Sequence, residues 1–294
     1  MQGNLRPRRP VAARSLAPLA YLAALALLGA CSDGSSSTLV CNGHAELCDR
    51  RFDEVAFAGA HNAMSNAEEG WQLPNQVYGI TRQLEDGVRV LLLDTHEYLG
   101  GFWLCHDFCE LGKEPLVDAL AKIRAFLDAH PGEVLAFVIQ DGISNEATEA
   151  AFVESGLVRY VYTHPAGGAW PTLREMIESD TRLVVMAEGS RPPPAWYHYA
   201  YDLSWDTPYS FASEADFSCA VNRGNPGNDL FQINHWLSTP FSMPENGERV
   251  NRFDVLWPRV EQCRSETGRF PNFIVVDYVH IGDLFTVVDR LNGF

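Results

Sequence analysis

Val88-Arg89-Val90-Leu91-Leu92-Leu93-Asp94-Thr95-His96 is a run of valine and leucine that ends on a carboxylate and an imidazole. Apart from Arg89 it does not alternate between apolar and polar residues, so it reads as a strand buried on both faces, as in a parallel sheet. Comparable runs occupy 55–59, 134–139, 183–186, 230–233 and 273–277. Between them, Leu116, Leu120, Ile123 and Leu127 recur at helical spacing, which predicts a helix over 114–129 that stops at His130-Pro131-Gly132. Residues 148–155 and 172–179 read as two more helices. Strand and helix alternate with no internal repeat and no Gly-rich phosphate loop. This favours a closed parallel α/β barrel, a single domain over 41–294, rather than a dinucleotide-binding sheet. The break Arg191-Pro192-Pro193-Pro194 and the aromatic stretch 196–205 predict a long loop or an irregular strand.

Polar residues recur at one place, just past the apolar strands: His61-Asn62, Asp94 and His96, His106 after Phe102-Trp103-Leu104, Gln140-Asp141, Asn234-His235, and Asp277. In a barrel that end carries the active site. Two histidines there suit a reaction in which one group removes a proton from a nucleophile and another protonates a leaving group, because imidazole titrates near neutrality. Phosphodiester cleavage has this form. A carboxylate such as Asp277 or Asp94 on a ring nitrogen would fix the tautomer. His44, His130, His164 and His198 read as surface or core residues.

The N-terminal segment is of another kind. Arg6, Arg8, Arg9 and Arg14 precede an apolar run over 16–28 and then Leu28-Gly29-Ala30-Cys31, the order of a secretory signal peptide over 1–30. The ending resembles a bacterial lipobox, which implies acylation of Cys31, with Ser32 in the next position pointing to the outer membrane or cell surface. The polar stretch behind Cys31 reads as a flexible tether over 31–40. An exported chain permits disulfides, and six further cysteines remain. Fifteen pairings are open, and short separations favour Cys41–Cys48 and Cys105–Cys109, leaving Cys219 for Cys263. A structural zinc site is the rival reading, but the Cys-x6-Cys and Cys-x3-Cys spacings lack histidine company. The formal net charge is −16, and with the four leader arginines removed 18 basic residues face 38 acidic ones, or −20. Nucleic acid is therefore an unsuitable partner, and attachment to a membrane would have to come from lipid rather than a basic patch. The chain is expected to be a monomer.

The strings Cys41-Asn-Gly-His-Ala-Glu-Leu-Cys48-Asp-Arg, Gly59-Ala-His-Asn-Ala-Met-Ser-Asn66, Leu92-Leu-Asp-Thr-His96, Trp103-Leu-Cys-His106, Pro131-Gly-Glu-Val-Leu and Pro271-Asn-Phe-Ile-Val-Val-Asp277 together resemble the phosphatidylinositol-specific phospholipase C X-domain-like superfamily, in its secreted plant, fungal and bacterial branch. The resemblance implies an irregular TIM barrel, His61 as general base, His106 as general acid and Asp277 as the orienter of the base. It also implies a phospholipid or glycolipid substrate, attacked at phosphorus by a neighbouring headgroup hydroxyl. Calcium-dependent relatives hold their metal at positions that correspond here to Asn62, Leu92, Asp94 and Gln140. That set is incomplete unless Asp141 or Glu97 contributes, and metal-independent relatives place an arginine where this chain has His96. His96, Trp103, Asn234, His235 and Tyr278 are the candidate substrate contacts. Two other readings stay open: a sphingomyelinase D or glycerophosphodiesterase-like enzyme, and a surface binding protein on the same barrel whose catalysis has weakened.

Overall fold

The computed structural model describes residues 39–238 and 241–294. The leader, Cys31 and all but the last two tether positions lie outside the described residues. The strands are β1 (Phe57–Ala60), β2 (Val90–Tyr98), β3 (Gly101–Leu104), β4 (Glu114–Pro115), β5 (Leu135–Gly142), β6 (Leu183–Ala187), β7 (Tyr197–Tyr199), β8 (Ser204–Asp206), β9 (Arg223–Gly224), β10 (Leu230–His235) and β11 (Phe273–Val276). The helices are α1 (Ile80–Glu85), α2 (Leu116–Ala129), α3 (Asn145–Ser155), α4 (Leu173–Glu178), α5 (Ala200–Leu203), α6 (Pro244–Val250), α7 (Phe253–Thr267) and α8 (Leu284–Asn292).

The sheet runs β7-β6-β5-β2-β1-β11-β10-β8 through parallel ladders, so the first strand lies beside the last and the sheet curls into a barrel of eight strands. β9 pairs antiparallel with β8, and β3 and β4 extend β2 as an antiparallel flap. The sequence predicts a closed ring, but among the described residues no ladder joins β7 to β8. The reason lies in the connection. Parallel neighbours need a crossover of about a dozen residues or more, and only α5, four residues long, separates these two strands. A side-chain ion pair bridges this side of the barrel instead, Arg223 Nη1 donating to Glu188 Oε2 at 2.8 Å.

Side chains alternate between two apolar cores. Val90, Leu92, Ala136, Val138, Val184, Met186, Leu230, Phe273 and Val275 fill the barrel interior. Leu91, Leu93, Phe137, Ile139, Val185, Ile233, Ile274 and Val276 point the other way, against the helices. Phe52 stacks on Trp170 and packs at a tilt against Phe57 within the interior core. The helix predicted over 114–129 starts at Leu116, because Glu114 and Pro115 pair with β3, and its apolar stripe is buried in the outer core. Disulfides join Cys41 to Cys48, Cys105 to Cys109 and Cys219 to Cys263, the last tying the β8–β9 excursion to α7.

Gly142 lies opposite His96 where β2 and β5 run together toward the carboxyl end of the barrel, and a Cβ there would fall against the Thr95 carbonyl oxygen. Backbone cannot yield as a flexible side chain does. Gly142→Ala is expected to lower stability by about 1–3 kcal/mol, seen as a lower urea midpoint at unchanged m-value. An unchanged midpoint would show that the two strands are free to move apart.

Candidate active site

Six interior columns of the barrel end on a polar side chain, two residues past the preceding inward-facing position. His61 follows Gly59, Asp94 follows Leu92, Gln140 follows Val138, Glu188 follows Met186, Asn234 follows Gln232 and Asp277 follows Val275. The period of two that aims the valines inward aims these groups into the mouth of the barrel. A cavity of about 420 Å³ opens there, lined by His61, Asn62, Asp94, His106, Gln140 and Asp277 among others. A compartment of about 140 Å³ shares several of these residues and adds Glu188, Arg223 and Asn234.

His61 is held from every side. Its Nδ1 lies 2.7 Å from Asp277 Oδ1, and its ring stacks on Trp236 with centroids 3.8 Å apart. Its carbonyl accepts from Gln76 Nε2 at 2.8 Å, and its N–H donates to the Val276 carbonyl. A carboxylate beside Nδ1 keeps the proton there and leaves Nε2 as the acceptor. Asp277 is buried, and it accepts from Asn75 Nδ2 at 3.2 Å and from the Ser242 hydroxyl at 2.5 Å. Asn62 in turn donates to Asn75, and its backbone is left-handed at φ +45°.

His106 stands on the short loop that the Cys105–Cys109 disulfide closes, in the same cavity as His61. Burial depresses its pKa below the ordinary histidine value, and the charge of His61 pushes in the same direction. Asp94 is buried, and desolvation raises its pKa to about 7. Arg223 donates to Asp206 Oδ2 from Nη2 at 2.5 Å and from Nε at 3.0 Å, while its Nη1 takes Glu188. One guanidinium thus lies between two carboxylates in the inner compartment.

Of the five candidate substrate contacts, only Asn234 lines this space. His235, one residue further along β10, points outward and is fully buried; desolvation lowers its pKa to about 3, and Nε2 lies 2.9 Å from the Val250 carbonyl oxygen. Trp103 packs against the outer core with Nε1 bonded to the Tyr98 carbonyl. The buried Tyr278 donates to the Pro74 carbonyl at 2.5 Å. His96 contributes to neither cavity lining, and its buried Nε2 has no hydrogen-bond partner among the described residues. Asp141 is adjacent to the inward-facing Gln140 on β5 and is absent from both linings; its Oδ1 accepts from the Gly189 N–H at 2.7 Å. Neighbouring residues on a strand face opposite ways, so His61 and Asn234 come in together while Asp141 and His235 do not. Sequence reasoning missed Asn75, Glu188, Arg223 and Ser242. Glu188 was within reach, since it ends the run 183–186 as Asp94 ends its own. The other three sit on irregular segments that carry no periodic signal.

The residues present do not fit a calcium ion. Leu92 fills a ligand position with hydrocarbon, Gln140 and Asn62 offer amides, Asp141 is turned away, and Glu188 is committed to Arg223. Calcium takes six to eight oxygens, usually with several carboxylates among them. Among the described residues no group of three His, Cys, Asp or Glu side chains is arranged to hold a metal.

The family model for PI-PLC X matches residues 47–292. A PI-PLC X domain-containing protein 1 of Arthroderma benhamiae is 30% identical over 281 residues, spanning 88% of this chain and 91% of its own length. A PI-PLC X domain-containing protein of Arabidopsis thaliana is 27% identical, over 82% of this chain and 62% of its own. An uncharacterized secreted protein of the same Arthroderma species is 28% identical, over 88% of this chain and 65% of its own. Among solved structures, a phosphatidylinositol-specific phospholipase C of Staphylococcus aureus superposes with a TM-score of 0.57 at 13% identity, covering 84% of this chain and 95% of that one. That likeness is one of fold.

The raised pKa of Asp94 has a consequence for stability. As pH rises from 3.8 toward 7 the unfolded chain gives up this proton while the folded chain keeps it, so stability falls across that window and the penalty is complete above pH 7. Asp94→Asn removes the penalty. The variant should match wild type at pH 4 and exceed it at pH 8 by at most about 4 kcal/mol in urea unfolding. An equal difference at both pH values would refute the titration.

Proposed function

We propose that this chain, which belongs to the PI-PLC X family, cleaves the phosphodiester of a phospholipid or glycolipid headgroup by acid/base catalysis at the mouth of its barrel. One observation carries the reading: His61, with Nδ1 held by Asp277, shares a single cavity with a second histidine, His106. His61 Nε2 takes the proton of a headgroup hydroxyl next to the phosphate, and that oxygen attacks phosphorus. His106 gives its proton to the departing lipid alkoxide as the P–O bond breaks. The products are a cyclic phosphodiester and a lipid alcohol. Asp277 stabilises the imidazolium formed on His61, while Asn75 and Ser242 keep its carboxylate facing the ring. Asn234 and Arg223 face the headgroup from the inner compartment. Since the donor set does not suit calcium, no step is assigned to a metal. Export agrees with three formed disulfides, which persist in oxidising compartments, and acylation of Cys31 would hold the domain at a membrane.

Purified protein incubated with phosphatidylinositol is expected to release cyclic inositol phosphate, and His61→Ala and His106→Ala should each lower turnover by roughly 10²–10⁴-fold. Failure of wild type to turn over phosphatidylinositol, phosphatidylcholine or any glycophospholipid would overturn the reading. The same assay carries a pH signature. His106 must be protonated to act, and its depressed pKa means that protonation is lost early as pH rises. The alkaline limb of kcat/KM on a soluble short-chain substrate should therefore fall below the ordinary histidine value of 6.5. A limb above that value would assign the acid to another group.

A further inference from the structure

The connection from β8 to β9 runs over residues 207–222, and within it only Glu214–Asp216 form a short helical turn. Loops longer than about 12–15 residues with little structure of their own are uncommon in compact domains and usually carry function. This one reaches the site: Tyr209 and Ser210 line the outer cavity, and Tyr209 also lines the inner compartment. It belongs to neither barrel core. Phe211 and Phe217 pack edge to face, centroids 5.0 Å apart, in a separate small cluster with Leu237, Val250 and Val255.

Two residues one turn apart on α7 hold the far end of this strap. Cys263 is bonded to Cys219, and Arg259 donates from Nη2 to the carbonyl of the adjacent Ser218 at 3.0 Å. The same Nη2 lies 3.3 Å from the Asn234 carbonyl on β10. Asn234 in turn holds the near end, its Nδ2 donating to the Thr207 carbonyl at 2.6 Å and its backbone N–H to the Thr207 hydroxyl at 3.0 Å. One guanidinium thus ties both ends of the strap to Asn234, the β10 residue that faces the inner compartment.

That guanidinium is costly for the fold. Arg259 is 4% exposed, and among the described residues its buried Nε and Nη1 have no hydrogen-bond partner. Burial draws its pKa down to about 10. The rings of Phe217 and Phe211, with centroids 4.6 and 5.5 Å from the guanidinium carbon, give the charge partial shelter. A buried charge is weak evidence for stability, since apolar side chains of similar volume commonly serve a core as well or better. What arginine supplies here, and an apolar residue does not, is a donor set between two carbonyls.

We propose that Arg259 is a positioning residue for headgroup binding: from α7 it fixes the 207–222 strap against Asn234, and so sets the wall that Tyr209, Ser210 and Asn234 present to the headgroup. The binding role rests on the phosphodiesterase reading, whereas the clamp itself does not.

The test compares wild type with Arg259→Met, which keeps much of the side-chain volume without the charge, and with Arg259→Lys, which keeps the charge without the planar guanidinium. Chymotrypsin reports on the clamp without turnover, because Tyr209, Phe211 and Phe217 all lie in the strap. Wild type is expected to resist cleavage within 207–222. Arg259→Met should be cut there roughly tenfold faster at an unchanged or higher Tm, with Arg259→Lys between the two. On a soluble short-chain phosphatidylinositol, Arg259→Met should raise KM roughly tenfold and leave kcat within about twofold. Equal cleavage of wild type and both variants would overturn the clamp, and so would faster cleavage that merely follows a lowered Tm. A fall in kcat at constant KM would overturn the binding role. If Arg259→Met does not fold, Arg259→Lys must by itself show the faster cleavage and the raised KM. If wild type cleaves no phosphodiester, the function fails and the binding role with it, while proteolysis still decides the clamp.

Discussion

The site depends on the period-two register of a parallel sheet bent until its first and last strands pair. Once β1 is locked to β11 and β2, with Gly59 opposite both Val275 and Val90, the direction of every side chain in the ring is set. Two steps past Gly59 and Val275, His61 and Asp277 must meet on the inner side. Two steps past Leu92 and Val138, Asp94 and Gln140 stand side by side. A slip of one residue would turn each of these groups out toward the helices and bring its apolar neighbour in. The apolar interior core and the polar mouth are thus one arrangement seen at two heights.

Electrostatics at the mouth pull against that arrangement. Asp94, Glu188, Asp206 and Asp277 converge where solvent is scarce, and the fold manages each differently. Asp277 is satisfied by His61, Asn75 and Ser242, and Asp206 and Glu188 share Arg223. Among the described residues Asp94 has no such partner, and burial raises its proton affinity. A buried carboxylate whose pKa lies near neutrality burdens folding, and local costs of this kind gather at sites that act on ligands. The left-handed backbones of Asn62, Leu73, Leu99 and Asp107, all at this end of the barrel, belong to the same pattern. The Arg223 cluster also braces the side of the barrel where β7 and β8 fail to pair, so the charge that faces the inner compartment helps to hold the wall.

Much of the fold was legible because continuous apolar runs broken by helical spacing admit few architectures. The runs at 88–94, 134–139, 183–186, 230–233 and 273–277 all overlap strands of the barrel. The stretch 196–205 gave only an irregular signal, since β7 and β8 are three residues each and lack the length for a pattern. The closed ring expected from alternation failed at that point because the connection between these two strands, α5, is only four residues long.

Sequence alone determined which residues end the strands, and so which chemistry gathers at one end: two histidines, their carboxylates and the amides beside them. That much follows from chain order, because in a parallel barrel every strand ends on the same side. Tertiary structure alone decided which of those residues face one another. It brought Asn234 in and turned His235, Asp141 and Trp103 away, and it delivered Asn75, Ser242 and Arg223 from irregular segments. Such segments have no period to read, and their positions are set by what they pack against.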